Sequence, residues 1–202
     1  MKDLHNAFKI FANMISAGVC ISIGAYAYLN YPGSLGALLF STGLIAVLHY
    51  NFIFYTGASH KVKSAFESMC LVFVLILNII GCWMSSWFVT DPYIISMCQS
   101  IVEKRAELGF CEAAAQGIGC GFLITLAIQA WNRNNKFALF ICVPTFILAG
   151  FTHSITDAFF YCVGWKAISW NAFNAYCGTV IGNFIGSLFH KLGAATVKAE
   201  KK

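Results

Sequence analysis

The long stretches without a charged residue are the feature that most limits how this chain can fold. They cover residues 10–57, 68–90, 113–132, 137–156 and 167–190. A helix that crosses a bilayer needs about 20 mainly apolar residues, and the first stretch is long enough for two, divided at Asn30-Tyr31-Pro32-Gly33. The sequence predicts an all-α membrane protein, one domain over residues 1–202, with spans at about 11–29, 35–57, 66–89, 110–131, 137–163 and 173–190.

The distribution of basic residues predicts the orientation of these six transmembrane helices. With six spans both termini lie on one side, and that side holds most of the Lys and Arg residues: Lys2, Lys9, Lys61, Lys63, Arg133, Lys136, Lys191, Lys198, Lys201 and Lys202. The other side holds Lys104, Arg105 and Lys166. Because basic loops stay in the cytoplasm, we expect both termini to be cytoplasmic and the chain to lie in the cell (inner) membrane. The net charge of +5 then reflects topology, and no nucleic-acid partner is expected.

The nine cysteines form no CxxC pair and lie mostly inside the predicted spans. In that setting they are expected to act as small apolar residues of a helix-packed core, and not as ligands of a metal or redox centre. No cofactor and no metal are therefore expected.

The two halves of the chain share a pattern. Asn78 and Gly81 in span three form an Asn-x-x-Gly motif that recurs as Asn183 and Gly186 in span six, and polar breaks interrupt spans two and five. Because each half has three spans, the second copy must enter the membrane from the opposite face. This predicts two inverted repeats, about 10–90 and 108–192, with the substrate site where helices two and five are broken. Close helix packing through small residues would explain the glycines equally well.

His153 is the leading candidate for a functional residue inside the spans. It lies in the polar break after Gly150, among threonine and serine residues, with Asp157 one turn further on. Ionisable residues within spans are costly and usually mark a pathway or proton relay, although a lone histidine is often a hydrogen-bonded core residue. His49 has a less polar neighbourhood and is interpreted as structural. Thr56 lies at the break of span two, where its hydroxyl can satisfy freed backbone groups or face a pore.

Six short motifs, in the correct order, resemble the formate/nitrite transporter family over nearly the whole chain. They lie at 17–23, 43–57, 77–81, 112–118, 143–155 and 181–186. The most specific are Gly150-Phe151-Thr152-His153-Ser154-Ile155 in span five and Ile181-Gly182-Asn183-Phe184-Ile185-Gly186 in span six.

The resemblance implies a homopentamer of aquaporin-like protomers, each with its own pore for small monovalent anions such as formate, nitrite or hydrosulfide. It implies that His153, Thr56 and Asn183 lie at the pore centre, and that Lys104, after a one-residue adjustment of spacing, attracts anions in a vestibule. The implied constrictions are Phe40 and Phe146 on one side, and Leu44 and Tyr55 on the other. Helix breaks and packing positions are expected at Asn78, Gly81, Gly150 and Gly186.

Four positions depart from the family pattern. Ile53 stands where the family has an acidic residue before the loop threonine, and Thr152 stands where it has one before the histidine. Gly121 replaces an asparagine of span four, and Asp157 replaces an asparagine after the histidine motif. These changes affect the expected choice of substrate more than the expected fold.

The sequence thus predicts a multi-pass anion channel or transporter, and not an enzyme. The expected partners are a small monovalent anion, protons that let a weak acid cross the apolar constriction in neutral form, and the lipid bilayer. A neutral-solute channel for water, glycerol or hydrogen sulfide would share the fold but show no pH coupling. A membrane-anchoring or redox subunit is a further alternative, against which the inverted repeat and the lack of facing histidine pairs argue.

Overall fold

The computed structural model describes residues 2–199 of the chain, and the side chains of residues 5–189. The described residues form eight α-helices and a short 3-10 turn at Trp165–Ala167. The helices are α1 Lys2–Asn30, α2 Ser34–His49, α3 Tyr55–Ser59, α4 Ala65–Ser86, α5 Pro92–Asn132, α6 Phe137–Leu148, α7 Ser154–Val163 and α8 Trp170–Ala199. Five lysines used in the orientation argument have side chains outside the described residues: Lys2, Lys191, Lys198, Lys201 and Lys202.

The starts of the helices follow capping rules that can be read in the sequence. The Ser64 hydroxyl accepts a hydrogen bond from the Glu67 backbone N–H at 3.2 Å, which caps α4. The Asp91 carboxylate accepts from the Tyr93 N–H at 2.9 Å, and Pro92 then occupies the first position of α5. A side-chain acceptor before the helix and a proline at its first turn both favour a helix start at that point.

The two helix interruptions predicted from the polar breaks are present. The chain leaves helical geometry between α2 and α3, where Asn51 has a φ of 55°, and between α6 and α7, where Gly150 has a φ of 75°. Positive φ angles are readily adopted by glycine and tolerated by asparagine. Each interruption places the start of a short helix, α3 or α7, inside the protein.

Glycines allow the long helices to pack at very short distance. A Cβ atom at Gly81 would lie 2.1 Å from the Ile15 carbonyl oxygen, so α4 contacts the backbone of α1 directly. A Cβ atom at Gly186 would lie 2.1 Å from the Ile118 carbonyl oxygen, so α8 contacts α5 in the same way. The helices α2 and α6 pack against each other, as do α4 and α7, and these contacts join the two halves of the chain.

The surface of the molecule is strongly apolar. Exposed large apolar residues recur at helical spacing along one face of α4 and at its C-cap residue, Trp87: Phe66, Met69, Phe73, Ile76, Ile80, Trp83 and Trp87. Three of the described helices are long and apolar enough to cross a membrane, namely His5–Asn30, Ala65–Ser86 and Pro92–Asn132. The helices α2, α6 and α7 are apolar but shorter. This surface suits a lipid environment.

The helix α5 is longer than the predicted span at about 110–131. It starts at Pro92, and Gly109, with a φ of 63° and a ψ of −172°, interrupts its helical geometry. The charged segment around Lys104 lies outside the predicted span. The segment is helical because Asp91 and Pro92 start a helix there, and its charges conceal it from a hydropathy criterion.

Candidate functional site: a buried histidine between two cavities

His153 lies at the helix interruption and caps the start of α7. Its Nδ1 accepts a hydrogen bond from the Thr156 backbone N–H at 3.2 Å, and the Thr156 hydroxyl lies 2.8 Å from the same nitrogen. Its Nε2 lies 3.0 Å from the Thr56 hydroxyl oxygen. The side chain is 3% exposed, and that of Thr56 is fully buried. The structure therefore joins the two short helices α3 and α7 through this pair of side chains.

The capping bond determines which nitrogen of His153 carries a proton. A ring nitrogen that accepts from a backbone N–H has its lone pair free, so Nδ1 is unprotonated. The neutral imidazole then carries its proton on Nε2. His153 consequently donates from Nε2 to the Thr56 oxygen, and the Thr56 hydroxyl keeps its own proton to donate elsewhere.

Asn78 and Asn183 hold the two interruptions in place with matching hydrogen bonds. The Asn78 Oδ1 accepts from the Tyr55 N–H at 2.8 Å, and its Nδ2 donates to the carbonyl oxygens of Met14 and Ile53. A helix interruption in a buried region leaves backbone groups without partners. The amide of Asn78 supplies one acceptor and two donors to those groups.

Asn183 does the same at the other interruption. Its Oδ1 accepts from the Ser154 N–H at 2.8 Å, and its Nδ2 donates to Gly117 O at 3.0 Å and to Thr152 O at 2.9 Å. Both of its amide protons are used by backbone carbonyls. Asn183 thus holds the backbone together at the interruption through these hydrogen bonds. Its direct role at a pore centre remains a prediction.

A first cavity of about 170 Å³ reaches His153 from one end of the molecule. It is lined by residues of α1, α2, α5, α6 and α7, including Phe40, Lys104, Arg105, Phe146 and His153. Phe40 and Phe146 meet edge to face with their ring centroids 5.8 Å apart, and the Phe146 ring lies 5.7 Å from that of His153. The lining of the cavity thus includes basic residues, an aromatic pair and the histidine.

Arg105, for which the sequence predicted no site role, lines the first cavity. Its Nε lies 3.4 Å from Asp157 Oδ2, its Nη2 lies 3.5 Å from Asp157 Oδ1, and its Nη1 donates to Gly150 O at 3.4 Å. Asp157 is 2% exposed. A buried carboxylate requires such a partner. Lys104 lies in the same cavity but is exposed.

A second cavity of about 140 Å³ approaches the same region from the opposite end of α2 and α5. Its apolar floor includes Val47, Phe54, Gly57 and Ile128, and its rim includes Asn51, Lys61 and Asn132. Gly57 directly follows Thr56 in α3. The hydrogen bond between His153 and Thr56 therefore lies between the two cavities.

The remaining predicted constriction residues, Leu44 and Tyr55, are buried at 2% and 5% exposure. Leu44 lies one turn after Phe40 and shortly before Val47, hence between the parts of α2 that line the two cavities. Tyr55 donates its hydroxyl proton to the Val180 carbonyl at 3.0 Å. Both side chains are thus buried, and their role as a constriction stays a prediction.

The structure gives physical accounts of two departures from the family pattern, those at Gly121 and Thr152. A Cβ at Gly121 would lie 2.2 Å from the Asn183 carbonyl oxygen, so no asparagine fits there without moving α8. The Thr152 hydroxyl donates to the Ala113 carbonyl at 3.0 Å. At Ile53 the backbone N–H donates to Asn13 Oδ1 at 2.7 Å, but this bond does not involve the side chain, and nothing in the structure explains the isoleucine.

The fold matches solved channel structures along almost the whole chain. A pentameric formate channel with formate bound superposes with a TM-score of 0.81 at 20% identity, over 96% of this chain and 98% of that one. An ion channel of the FNT family superposes with a TM-score of 0.76 at 16% identity, over 96% of this chain and 92% of that one. At such low identities these matches establish the fold.

The family follows from the sequence model of formate/nitrite transporters, which matches residues 2–195. This chain belongs to the formate/nitrite transporter family. It is accordingly a membrane transport protein for small anions and not an enzyme. A search of curated proteins gives no significant match.

Membership confirms the resemblance inferred from the six motifs. In the formate/nitrite transporter fold of this chain, His153 contacts Thr56, and the Phe40 and Phe146 rings meet at the first cavity. The pore-centre and constriction roles of these four side chains stay predictions. The ion pair of Arg105 and Asp157 and the cap from Thr156 to His153 were not predicted. The transport roles of the individual side chains follow as proposals.

Proposed function

We propose that each protomer carries its own pathway for the small monovalent anion of a weak acid, such as formate, nitrite or hydrosulfide. The observation that carries this proposal is the His153–Thr56 hydrogen bond between the two cavities. In this pathway His153 and Thr56 form the polar centre, with Asn183 next to them. Phe40 and Phe146 form one constriction, and Leu44 and Tyr55 form the other.

The proposed mechanism starts from the cost of moving a charge through an apolar layer. Placing a charged side chain at the centre of a bilayer costs about 2.5–3.5 kcal/mol on an insertion scale. An anion meets a similar barrier at the aromatic pair of Phe40 and Phe146. Lys104 raises the anion concentration in the first cavity, and a proton taken up near His153 lets the weak acid cross the apolar layer in neutral form.

The direction of the hydrogen bond between His153 and Thr56 supports a role for Thr56 as a donor to the anion. Because His153 donates to the Thr56 oxygen, the Thr56 hydroxyl proton remains free to bond the anion. The permeating anion would therefore meet an O–H donor at the narrowest polar point. A neutral imidazole supports this donor without adding a permanent charge that would trap the anion.

The proposal includes a topology and an assembly. We take the chain as one transmembrane domain of six spans, in which α2 with α3, and α6 with α7, each cross the membrane as a broken helix. The 16 residues of α2 extend only about 24 Å, so a second segment is needed to cross a hydrocarbon core of about 30 Å. The matching hydrogen bonds that Asn78 and Asn183 make at the two helix interruptions support two inverted repeats, about 10–90 and 108–192.

The proposed oligomer rests on the similar formate channel, and the proposed orientation in the membrane rests on the distribution of basic residues. The formate channel that superposes on this chain is pentameric, and we propose a homopentamer here too. The basic residues at the ends of the spans favour cytoplasmic termini in the inner cell membrane.

Flux measurements in proteoliposomes test the proposal. Purified protein should carry formate, nitrite or hydrosulfide down a concentration gradient, faster when an inward proton gradient is imposed. Protein-free liposomes measured with the same gradients give the background from passive diffusion of the undissociated acids. Passage of water or glycerol with no flux of any of the three anions would replace this proposal by a neutral-solute channel.

A further inference from the structure

The second cavity has a charge that the proposed mechanism does not use. Among the described residues that line it, Lys61 is the only ionisable side chain; the others are apolar, glycine or asparagine. Lys61 is exposed at the rim and forms no ion pair with the residues that the structure describes. The second cavity therefore combines one unpaired cation with an apolar floor.

The position of this cavity relates it to the pathway. On α2, Phe40 lines the first cavity and Val47 lines the second, about 10 Å further along the helix. On α5, Lys104 lies in the first cavity and Ile128 in the second. The two cavities thus open toward opposite ends of the same helices, with the His153–Thr56 bond between them.

The charges of the two cavities become similar once ion pairs are considered. In the first cavity Asp157 offsets the charge of Arg105, which leaves Lys104 as the unpaired cation among the residues described there. In the second cavity Lys61 is unpaired and has no nearby carboxylate among the lining residues. Among the described residues that line it, each cavity therefore has one basic side chain without an ion-pair partner.

We propose that Lys61 concentrates the permeating anion at the mouth formed by the second cavity, as a counterpart to Lys104 at the first. The inference rests on the proposed anion pathway and extends it to the other side of the membrane. Asn51 and Asn132 at the rim supply amide donors that accompany the charge. An anion can then be captured from either side, so the pathway serves both uptake and release.

The test compares Lys61→Gln with Lys63→Gln in the full chain. Lys63 lies in the same exposed loop but does not line the cavity, so its replacement removes the same formal charge without touching the mouth. Formate uptake is measured at low ionic strength in inside-out and right-side-out membrane vesicles. A unit charge about 4 Å from an anion in water-like surroundings changes the local anion concentration about fivefold.

The expected result is a side-specific change. Lys61→Gln should raise the half-saturation concentration for formate about fivefold in inside-out vesicles and leave it unchanged in right-side-out vesicles. At low formate the permeability should fall equally in both directions, as microscopic reversibility requires. Lys61→Arg should restore the wild-type value, and the effect should disappear near 1 M salt because the charge is screened.

Two results would overturn this inference while leaving the proposed function intact. One is a Lys61→Gln variant that behaves like Lys63→Gln. The other is a rise in half-saturation concentration of the same size in both vesicle types. A wild-type protein that carries none of formate, nitrite and hydrosulfide would overturn the proposed function, and this inference with it.

Discussion

Asn78 and Asn183 make the same three kinds of hydrogen bond at the two helix interruptions. Each accepts one bond from a backbone N–H at the start of a short helix and donates two bonds to carbonyl oxygens. Both side chains are fully buried. Their amides replace the backbone partners that an unbroken helix would supply.

Replacing either asparagine by alanine should lower the stability of the protein. Each substitution leaves buried backbone groups unpaired, at about 1–3 kcal/mol per group. The thermal midpoint of the detergent-solubilised protein should therefore fall clearly for Asn78→Ala and Asn183→Ala. Asn171→Ala, at an exposed position of α8, is the matched control and should leave it unchanged. Equal midpoints for all three variants would contradict the stapling role.

Removal of the Thr56 hydroxyl should slow anion flux. Thr56→Val leaves the His153 Nε2–H without its partner and removes the donor proposed to meet the anion. A lost partner of about 1–3 kcal/mol corresponds to a flux about 5- to 150-fold lower. Thr56→Ser keeps the hydroxyl and should stay close to wild type in formate flux assays. A valine variant as fast as the serine variant would show that the hydroxyl is not used.

Substitutions of His153 should separate hydrogen bonding from proton transfer. Asparagine can cap α7 and donate to Thr56, but it cannot exchange a proton near neutral pH. His153→Asn should therefore keep a folded protein whose anion flux responds differently to pH, and His153→Ala should lose both functions. His49→Ala, at an exposed histidine, should match wild type. An unaltered pH profile in His153→Asn would exclude proton transfer by the imidazole.

The ion pair of Arg105 and Asp157 can be broken from either side, and the two substitutions should have different effects. Replacing Arg105 should lower stability, and replacing Asp157 should strengthen anion capture. Arg105→Gln leaves the buried Asp157 carboxylate unpaired, and removal of one partner from a buried pair costs about 3–5 kcal/mol. Asp157→Asn instead frees the charge of Arg105 in the first cavity, so the half-saturation concentration for formate should fall.

The double variant Arg105→Gln with Asp157→Asn should recover much of the stability lost in Arg105→Gln alone. Thermal unfolding of the wild type, the two single variants and the double variant gives the coupling between the two residues. Additive losses would mean that the two side chains stabilise the protein independently.

Native mass spectrometry of the purified protein should show five copies of the 22.2 kDa chain. The apolar outward face of α4 would then be shared between lipid and neighbouring protomers. A stable monomer or tetramer would contradict the proposed assembly, although it would not change the family to which the chain belongs.

Much of the fold could be predicted from the sequence, because apolar stretches and the polar residues that interrupt them are visible in short segments of the chain. The polar breaks around Thr56 and His153 predicted the two helix interruptions. Asp91-Pro92 is a typical helix start, but the charged segment that follows it is not apolar enough to indicate a transmembrane helix. The pairing of Arg105 with Asp157 depends on two side chains that meet only after α5 and α7 have packed, so no local pattern reveals it. The closeness of His153 and Thr56 came from the family resemblance, because spacing alone does not specify which breaks meet.

The cap that His153 provides to α7 restricts what evolution can place at this position. The side chain must accept a hydrogen bond from the first turn of a helix, present a donor to Thr56 in the opposite direction, and remain uncharged while doing so. Serine is too short to serve both directions, and an aspartate would repel the anion. Asparagine meets the geometry, but among side chains that meet it, only the imidazole has a ring nitrogen that can also take up and release a proton. Histidine is therefore the one residue type that suits position 153, and the helix cap imposes this restriction as much as transport does.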